Sequence, residues 1–121
     1  MSTYATAAVR SALHDGILVP SLWAYEIENA LLIIHRRKRI TDTELDDAFA
    51  ELATWSVRSQ PPYGFGVSAR IAANTGLTSY DASYLSVALN SGSRLATLDR
   101  KLRDAARNLG ARLFEDESDK P

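Results

Sequence analysis

The stretch Ile17–Leu31, ILVPSLWAYEIENAL, decides how this chain is read. Ile17-Leu18-Val19 is a fully apolar run of strand length, and Pro20 ends it. Ser21 then stands as an N-cap for a helix predicted to reach about Arg39. Within that helix Trp23, Ile27, Ala30, Leu31 and Ile34 fall on one stripe, while Leu22, Glu26, Asn29 and Ile33 fall on the next. Glu26 is therefore expected on a face at least partly buried. A carboxylate there needs a hydrogen bond, a cation or a metal to compensate it.

Working outward, residues 3–14 read as a short helix with Tyr4, Ala8 and Leu13 toward one side, and Asp15-Gly16 is a turn signal. Thr41-Asp42-Thr43-Glu44 is a capping box that opens a helix whose stripe is Leu45, Ala48, Phe49 and Leu52. A brief strand fits residues 55–60, and Pro61-Pro62-Tyr63-Gly64 is a loop. Val67–Thr75 reads as a helix ended by Gly76. Thr78 or Ser79 caps a helix from Tyr80 to about Asn90, with Asp81, Tyr84, Leu85 and Ala88 on its buried side. Leu95–Leu98 is a strand candidate followed directly by Asp99. A helix carrying Leu102, Ala105, Ala106 and Leu109 then runs to Gly110, and Ala111–Phe114 reads as a last strand. Strand, helix and strand at this spacing form a βαβ unit, so the fold class is α/β with a parallel sheet. One domain spans residues 1–121, with a polar tail at 115–121.

Bulk properties narrow the function. The chain has 121 residues, enough for one domain with its own core. Its formal net charge is −1, so it is not a generally basic nucleic-acid binder, and contact with nucleic acid must come from a local patch. It has no cysteine, which excludes disulfides, thiol catalysis and thiolate metal sites. No apolar run reaches membrane-spanning length, and a cytoplasmic location is the default expectation.

Three isolated acids, Glu26, Asp81 and Asp99, fall near the carboxyl ends of strands or in the first turns of helices, where open parallel sheets collect ligands. Clustered carboxylates repel, and a hard divalent cation such as Mg²⁺ or Mn²⁺ relieves that repulsion. A cation so held activates water and stabilises charge during phosphodiester cleavage. Each acid also has a structural reading. Asp99 can N-cap the last helix, Asp81 can be the N3 member of a capping box with Thr78, and Glu26 can sit in a plain ion pair. Asn29, one turn beyond Glu26, is either a support for it or a satisfied amide. The basic run His35–Arg39 reads first as favourable charge at a helix C-terminus. Arg100, Lys101 and Arg103, beside Asp99, are better placed for a phosphate backbone. His14 and His35 lack ligand-like spacing.

Three stretches resemble successive signatures of the PIN-domain family: VPSLWAYEIENALL (Val19–Leu32), LTSYDASYLSVAL (Leu77–Leu89) and SRLATLDRKLRDAA (Ser93–Ala106). The resemblance is strongest to VapC-type toxins of bacterial toxin–antitoxin pairs. It implies a PIN-like three-layer domain, with a short parallel sheet flanked by helices. It also implies a Mg²⁺- or Mn²⁺-dependent ribonuclease, a homodimer, and inhibition by a cognate antitoxin. Glu26, Asp81 and Asp99 match the family's acidic positions, and Thr97 matches the threonine of its T-x-D motif. The family pattern opens with a strand ending in an aspartate, of the form V-x-D-A-S, and nothing in this chain matches it. The likeness enters at the family's second helix. The expectation is a sheet lacking its central strand between Ile17–Val19 and Leu95–Leu98, with two unpaired edges and one carboxylate fewer. A longer reading frame upstream, a shortened relative, or a second copy filling the gap would each account for this. A non-catalytic module that binds an antitoxin or itself is the rival function.

Overall fold

The computed structural model describes residues 3–115. The elements run α1 (Thr3–Asp15), β1 (Ile17–Pro20), α2 (Trp23–Arg36), α3 (Asp42–Leu52), β2 (Val57–Gln60), α4 (Val67–Thr75), α5 (Ser79–Ser91) and α6 (Arg100–Leu109). The polar tail falls largely outside the described residues.

Helix boundaries follow local chemistry. Thr41 and Glu44 close the capping box of α3 reciprocally, at 3.1 and 3.0 Å. Thr78 Oγ1 accepts the Asp81 N–H at 3.1 Å to start α5. Gly16 follows α1 at φ 87°, a left-handed conformation that glycine adopts without strain, and its N–H closes the helix on the Ala12 carbonyl. Helix α2 departs from expectation at both ends. Ser21 still donates its N–H to the Gln60 carbonyl at 3.1 Å, as part of the strand ladder, so Leu22 becomes the N-cap and no side chain caps the helix. The far end is Arg36, not Arg39, because Lys38 turns left-handed at φ 57° and Arg39 N–H bonds back to the Ile34 carbonyl.

The core lies where α5 packs on α4, α6 and β1. Leu77, Ala82, Leu85, Ala88, Leu95, Leu102, Ala105 and Ala106 form one buried cluster, and Leu85 is fully enclosed. Helices α2 and α3, by contrast, contain no buried residue. Trp23, Ile27 and Leu31 are only half-buried, and Ile33 and Ile34 are exposed.

Strands β1 and β2 pair in parallel, Ile17 opposite Val57 through Pro20 opposite Gln60. The expected strands at Leu95–Leu98 and Ala111–Phe114 shrink to one parallel bridge between Leu95 and Leu113. Leu95 N–H donates to the Arg112 carbonyl and Phe114 N–H to the Leu95 carbonyl, both at 2.8 Å. The ladder stops there because the buried Tyr4 hydroxyl is inserted into it. That hydroxyl accepts the Thr97 N–H at 3.1 Å and donates to the Phe114 carbonyl at 2.9 Å. A side chain thus stands where the next backbone pair would form.

Contacts of α1 fix the relative direction of the two strand pieces. Tyr4 meets Thr97, and one turn-pair later Ser11 accepts from Arg94 at 3.3 Å, so α1 runs antiparallel to Arg94–Thr97. After Gly16 the chain returns as β1, which therefore points the same way as Arg94–Thr97. Between the two pieces lies a cleft of about 520 Å³, walled by Ala8 and Ala12 of α1 and by Val87 and Ala88 of α5. The two edges expected to lack a neighbour do lack one among the described residues.

Tyr4→Phe is expected to leave the Thr97 N–H and Phe114 C=O without their bridge and to destabilise by about 1–3 kcal/mol. Leu85→Ala is expected to destabilise by about 2–5 kcal/mol, through a cavity at the centre of the cluster. Urea denaturation of each variant measures both.

Candidate carboxylate and tyrosine site

Two of the three acids meet at a tyrosine. Tyr84, one turn after Asp81 on α5, donates its hydroxyl hydrogen bond to Glu26 Oε1 on α2. The Tyr84 phenol is pushed well above its ordinary range. Burial is the main cause, followed by the hydrogen bond to Glu26 and the negative charges of Glu26 and Asp81. Glu26, Tyr84 and Asp81 are thus neighbours at the carboxyl end of β1.

The expected burial of Glu26 is not what the structure has. Glu26 is exposed, as are Asp81 and Asn29. The physical reason is that α2 packs mainly against α3, and α5 reaches it at Glu26 through the Tyr84 hydroxyl, so the stripe carrying Glu26 and Asn29 looks largely outward. Among the described residues the Glu26 carboxylate, which water also reaches, takes its one side-chain hydrogen bond from the Tyr84 hydroxyl.

Asp99 takes its structural role. Its Oδ1 accepts the Leu102 N–H at 2.8 Å as the N-cap of α6, while its own N–H donates to Thr97 Oγ1 at 3.1 Å. Thr97 thus holds the Asp99 backbone through its side-chain oxygen. Among the described residues no group of three or more His, Asp or Glu side chains stands close enough to share a metal ion.

The basic set beside Asp99 divides. Arg103 turns inward: it donates to the Thr97 carbonyl at 2.9 Å, lies 5.7 Å from the Tyr4 ring centre and comes within 4.0 Å of Glu115. Lys101 Nζ donates to the Gly76 carbonyl at 2.8 Å and ties α6 to the end of α4. Arg100 is exposed and has no hydrogen-bond or ion-pair partner among the described residues. In the other basic run, His35 Nε2 lies 2.5 Å from Asp42 Oδ1 and joins the end of α2 to the start of α3.

Tyr84 is the residue the sequence reading placed only in the core stripe. The signal that could have found it is its spacing: a tyrosine three residues after Asp81 carries its hydroxyl to the polar end of the same helical face.

These features define a small α/β domain with parallel strands and a carboxylate–tyrosine cluster at their carboxyl ends. No protein-family model matches the chain, and no curated protein matches it. Among solved structures it is similar to the crystal structure of PAE2754 from Pyrobaculum aerophilum, with a TM-score of 0.61 and 31% sequence identity, over 84% of this chain and 77% of that one. At that identity and coverage the chain belongs to the same family as PAE2754. Among the described residues no helix is long and apolar enough to cross a membrane.

Of the chain's five tyrosines, Tyr84 is expected to ionise late when the protein is titrated with alkali, and Tyr84→Phe should delete a late step of the tyrosinate absorbance curve. Glu26→Gln should move that step to lower pH while leaving it above the ordinary phenol range, because burial remains. Because the folded phenol is raised, Tyr84 favours the unfolded chain once pH climbs past the ordinary phenol value, and it has no such effect below it.

Proposed function

We propose that this protein is a metal-dependent endoribonuclease of the VapC-like PIN type, the toxin of a toxin–antitoxin pair. The observation that carries the reading is the convergence of Glu26 and Asp81 on Tyr84 at the carboxyl end of β1. Asp99 follows a strand piece that points the same way. Crevices beyond the carboxyl ends of parallel strands are where α/β domains place their chemistry.

The donor chemistry suits Mg²⁺ or Mn²⁺ in a reduced form. Both cations take oxygen ligands, and Mg²⁺ commonly uses one or two carboxylates completed by water and substrate phosphate. Glu26 and Asp81 would be those carboxylates, and Asp99, which keeps one oxygen in its helix cap, would reach such a cation only through a water molecule. When bound, such a cation supplies an activated water and offsets charge on a phosphodiester. The chain's own contributions are separate. Tyr84 fixes the Glu26 carboxylate through its hydroxyl and stays protonated at neutral pH. Thr97 orients Asp99. Arg100 offers its guanidinium to a phosphate, whereas Lys101 and Arg103 mainly hold the fold.

One observation favours a second reading. The three acids do not gather into one group, and a domain with such a site would bind an antitoxin or another copy of itself without cutting RNA.

Incubation of the purified protein with RNA and Mn²⁺ separates the two. Cleavage is expected only with the metal, and Asp81→Asn should abolish it while shifting stability by less than about 1 kcal/mol. Asp99→Asn should also lower cleavage but keep the helix cap, since Asn caps as well as Asp, whereas Asp99→Ala should additionally cost about 1 kcal/mol of stability. Cleavage without metal, or full activity in Asp81→Asn, contradicts the nuclease reading.

A further inference from the structure

An aromatic ring left in water forgoes the gain of burial, so several bare rings in one region call for a reason. Among the described residues four aromatic side chains are exposed: Tyr25, Tyr63, Phe65 and Tyr80. Tyr25 lies in the first turn of α2, immediately before Glu26, and is 75% exposed. Tyr80 lies in the first turn of α5, immediately before Asp81, and is 69% exposed. Tyr80 also stands one turn ahead of Tyr84, a spacing that puts Cβ atoms about 5–6 Å apart. Because the Tyr84 hydroxyl bonds Glu26, Tyr80 adjoins the contact between α5 and α2. Tyr63 and Phe65 belong to the loop that leaves β2 at Gln60, opposite Pro20, and Phe65 is fully exposed. Positive charge is scarce on this edge. Lys101 and Arg103 are occupied by backbone carbonyls, which leaves Arg100. The basic run at 35–39 starts at the other end of α2, where Arg36 is about 15 Å along the helix axis from Glu26.

Resting on the nuclease reading, we propose that Tyr25 and Tyr80 are base-stacking residues. They take unpaired bases of an RNA strand against their ring faces, beside the acids, and Phe65 offers a further ring to the same strand. Every base has a π face, so stacking tolerates sequence, and a base already stacked within a duplex has no face to give. A tyrosine ring supplies this contact at small entropic cost, since only two side-chain torsions are fixed. A protein partner fits less well: the core of a protein interface is depleted of acids, and here Glu26 and Asp81 stand exposed next to the rings. With Arg100 the one cation offered on this edge, the phosphate backbone adds little, and the rings carry the affinity.

Binding is measured apart from cleavage, with the whole chain in EDTA and a short unstructured RNA carrying fluorescein, read by anisotropy. Saturable binding with Kd below about 100 μM is expected. The logarithm of affinity should fall with the logarithm of salt concentration at a slope of about 0.7, as for one neutralised phosphate. Annealing the RNA to its complement, or replacing it with an abasic ribose-phosphate chain of the same length, should weaken binding at least about tenfold. Tyr25→Ala, Tyr80→Ala and Phe65→Ala should each weaken it at least about fivefold at an unchanged urea midpoint, whereas Tyr80→Phe, which keeps the ring, should stay within about twofold of the parent. Absence of saturable binding, equal binding of the duplex or the abasic chain, a salt slope of about 3 or more, or full affinity in the alanine variants would each overturn the inference. So would self-association of the chain that Tyr80→Ala abolishes while RNA affinity stays the same. Cleavage with Mn²⁺ is scored separately: cleavage by a chain whose alanine variants keep full affinity strikes the stacking role alone, and ring-dependent binding without cleavage strikes the nuclease reading alone.

Discussion

The Tyr4 hydroxyl is the joint on which this structure turns. Tyr4 is 6% exposed, and its single oxygen takes the Thr97 N–H and gives its proton to the Phe114 carbonyl. Its ring meets Phe114 edge-on at 5.6 Å and lies under Arg103. One side chain therefore anchors the start of α1 to the strand piece at Leu95 and to the end of the described chain. The other end of α1 passes through Gly16 into β1. The helix spans the two halves of a divided sheet, holding them in the same direction with no backbone hydrogen bond between them among the described residues. From the opposite wall α5 joins the same two halves, through β1 on one side and the cluster around Leu85 and Leu95 on the other. The cleft is a consequence of this arrangement: the helices fix its two edges, and its lining follows from the small residues they present.

Much of this was legible in the sequence wherever the determinant is local. The capping box at Thr41–Glu44, the Thr78 cap, the stops at Gly76 and Gly110, and the N-cap at Asp99 each depend on residues within four positions of one another. Strand β1 was also readable, as a short apolar run between a turn and a proline, and β2 falls within the brief strand expected at 55–60. What was not legible depends on distant partners. Leu95–Leu98 has the composition of a strand, yet its ladder ends after one bridge because Tyr4, 110 residues from Phe114, intrudes. Glu26 looked half-buried because a helical stripe says which residues share a face, and nothing about whether another element covers that face. In this chain little covers α2 except α3.

The site shows the same division. Two of the three acids, Glu26 and Asp81, lie beside the same side chain, Tyr84. Their common neighbour Tyr84 was hidden by its second identity as a member of the core stripe. The basic side chains behave differently: Lys101 and Arg103 are taken up by carbonyls of the fold, so a positive sequence neighbourhood overstated the charge offered to a ligand. Asp99 stands at the N-cap of α6. The helix cap at Asp99 uses one carboxylate oxygen, Oδ1. On the proposed nuclease reading, stability and activity can be separated there by exchanging the oxygen that is not capping.

The central claim is that the two strand edges flanking the cleft are held side by side yet unpaired. Native-state amide hydrogen exchange followed by NMR tests it directly. The Leu18 and Ala96 amides, which face the cleft, should exchange roughly a hundredfold faster than those of Val19 and Leu95, which face their ladders. Equal protection of all four would contradict the account, since it would mean that the edges are already paired with each other or with another copy of the chain.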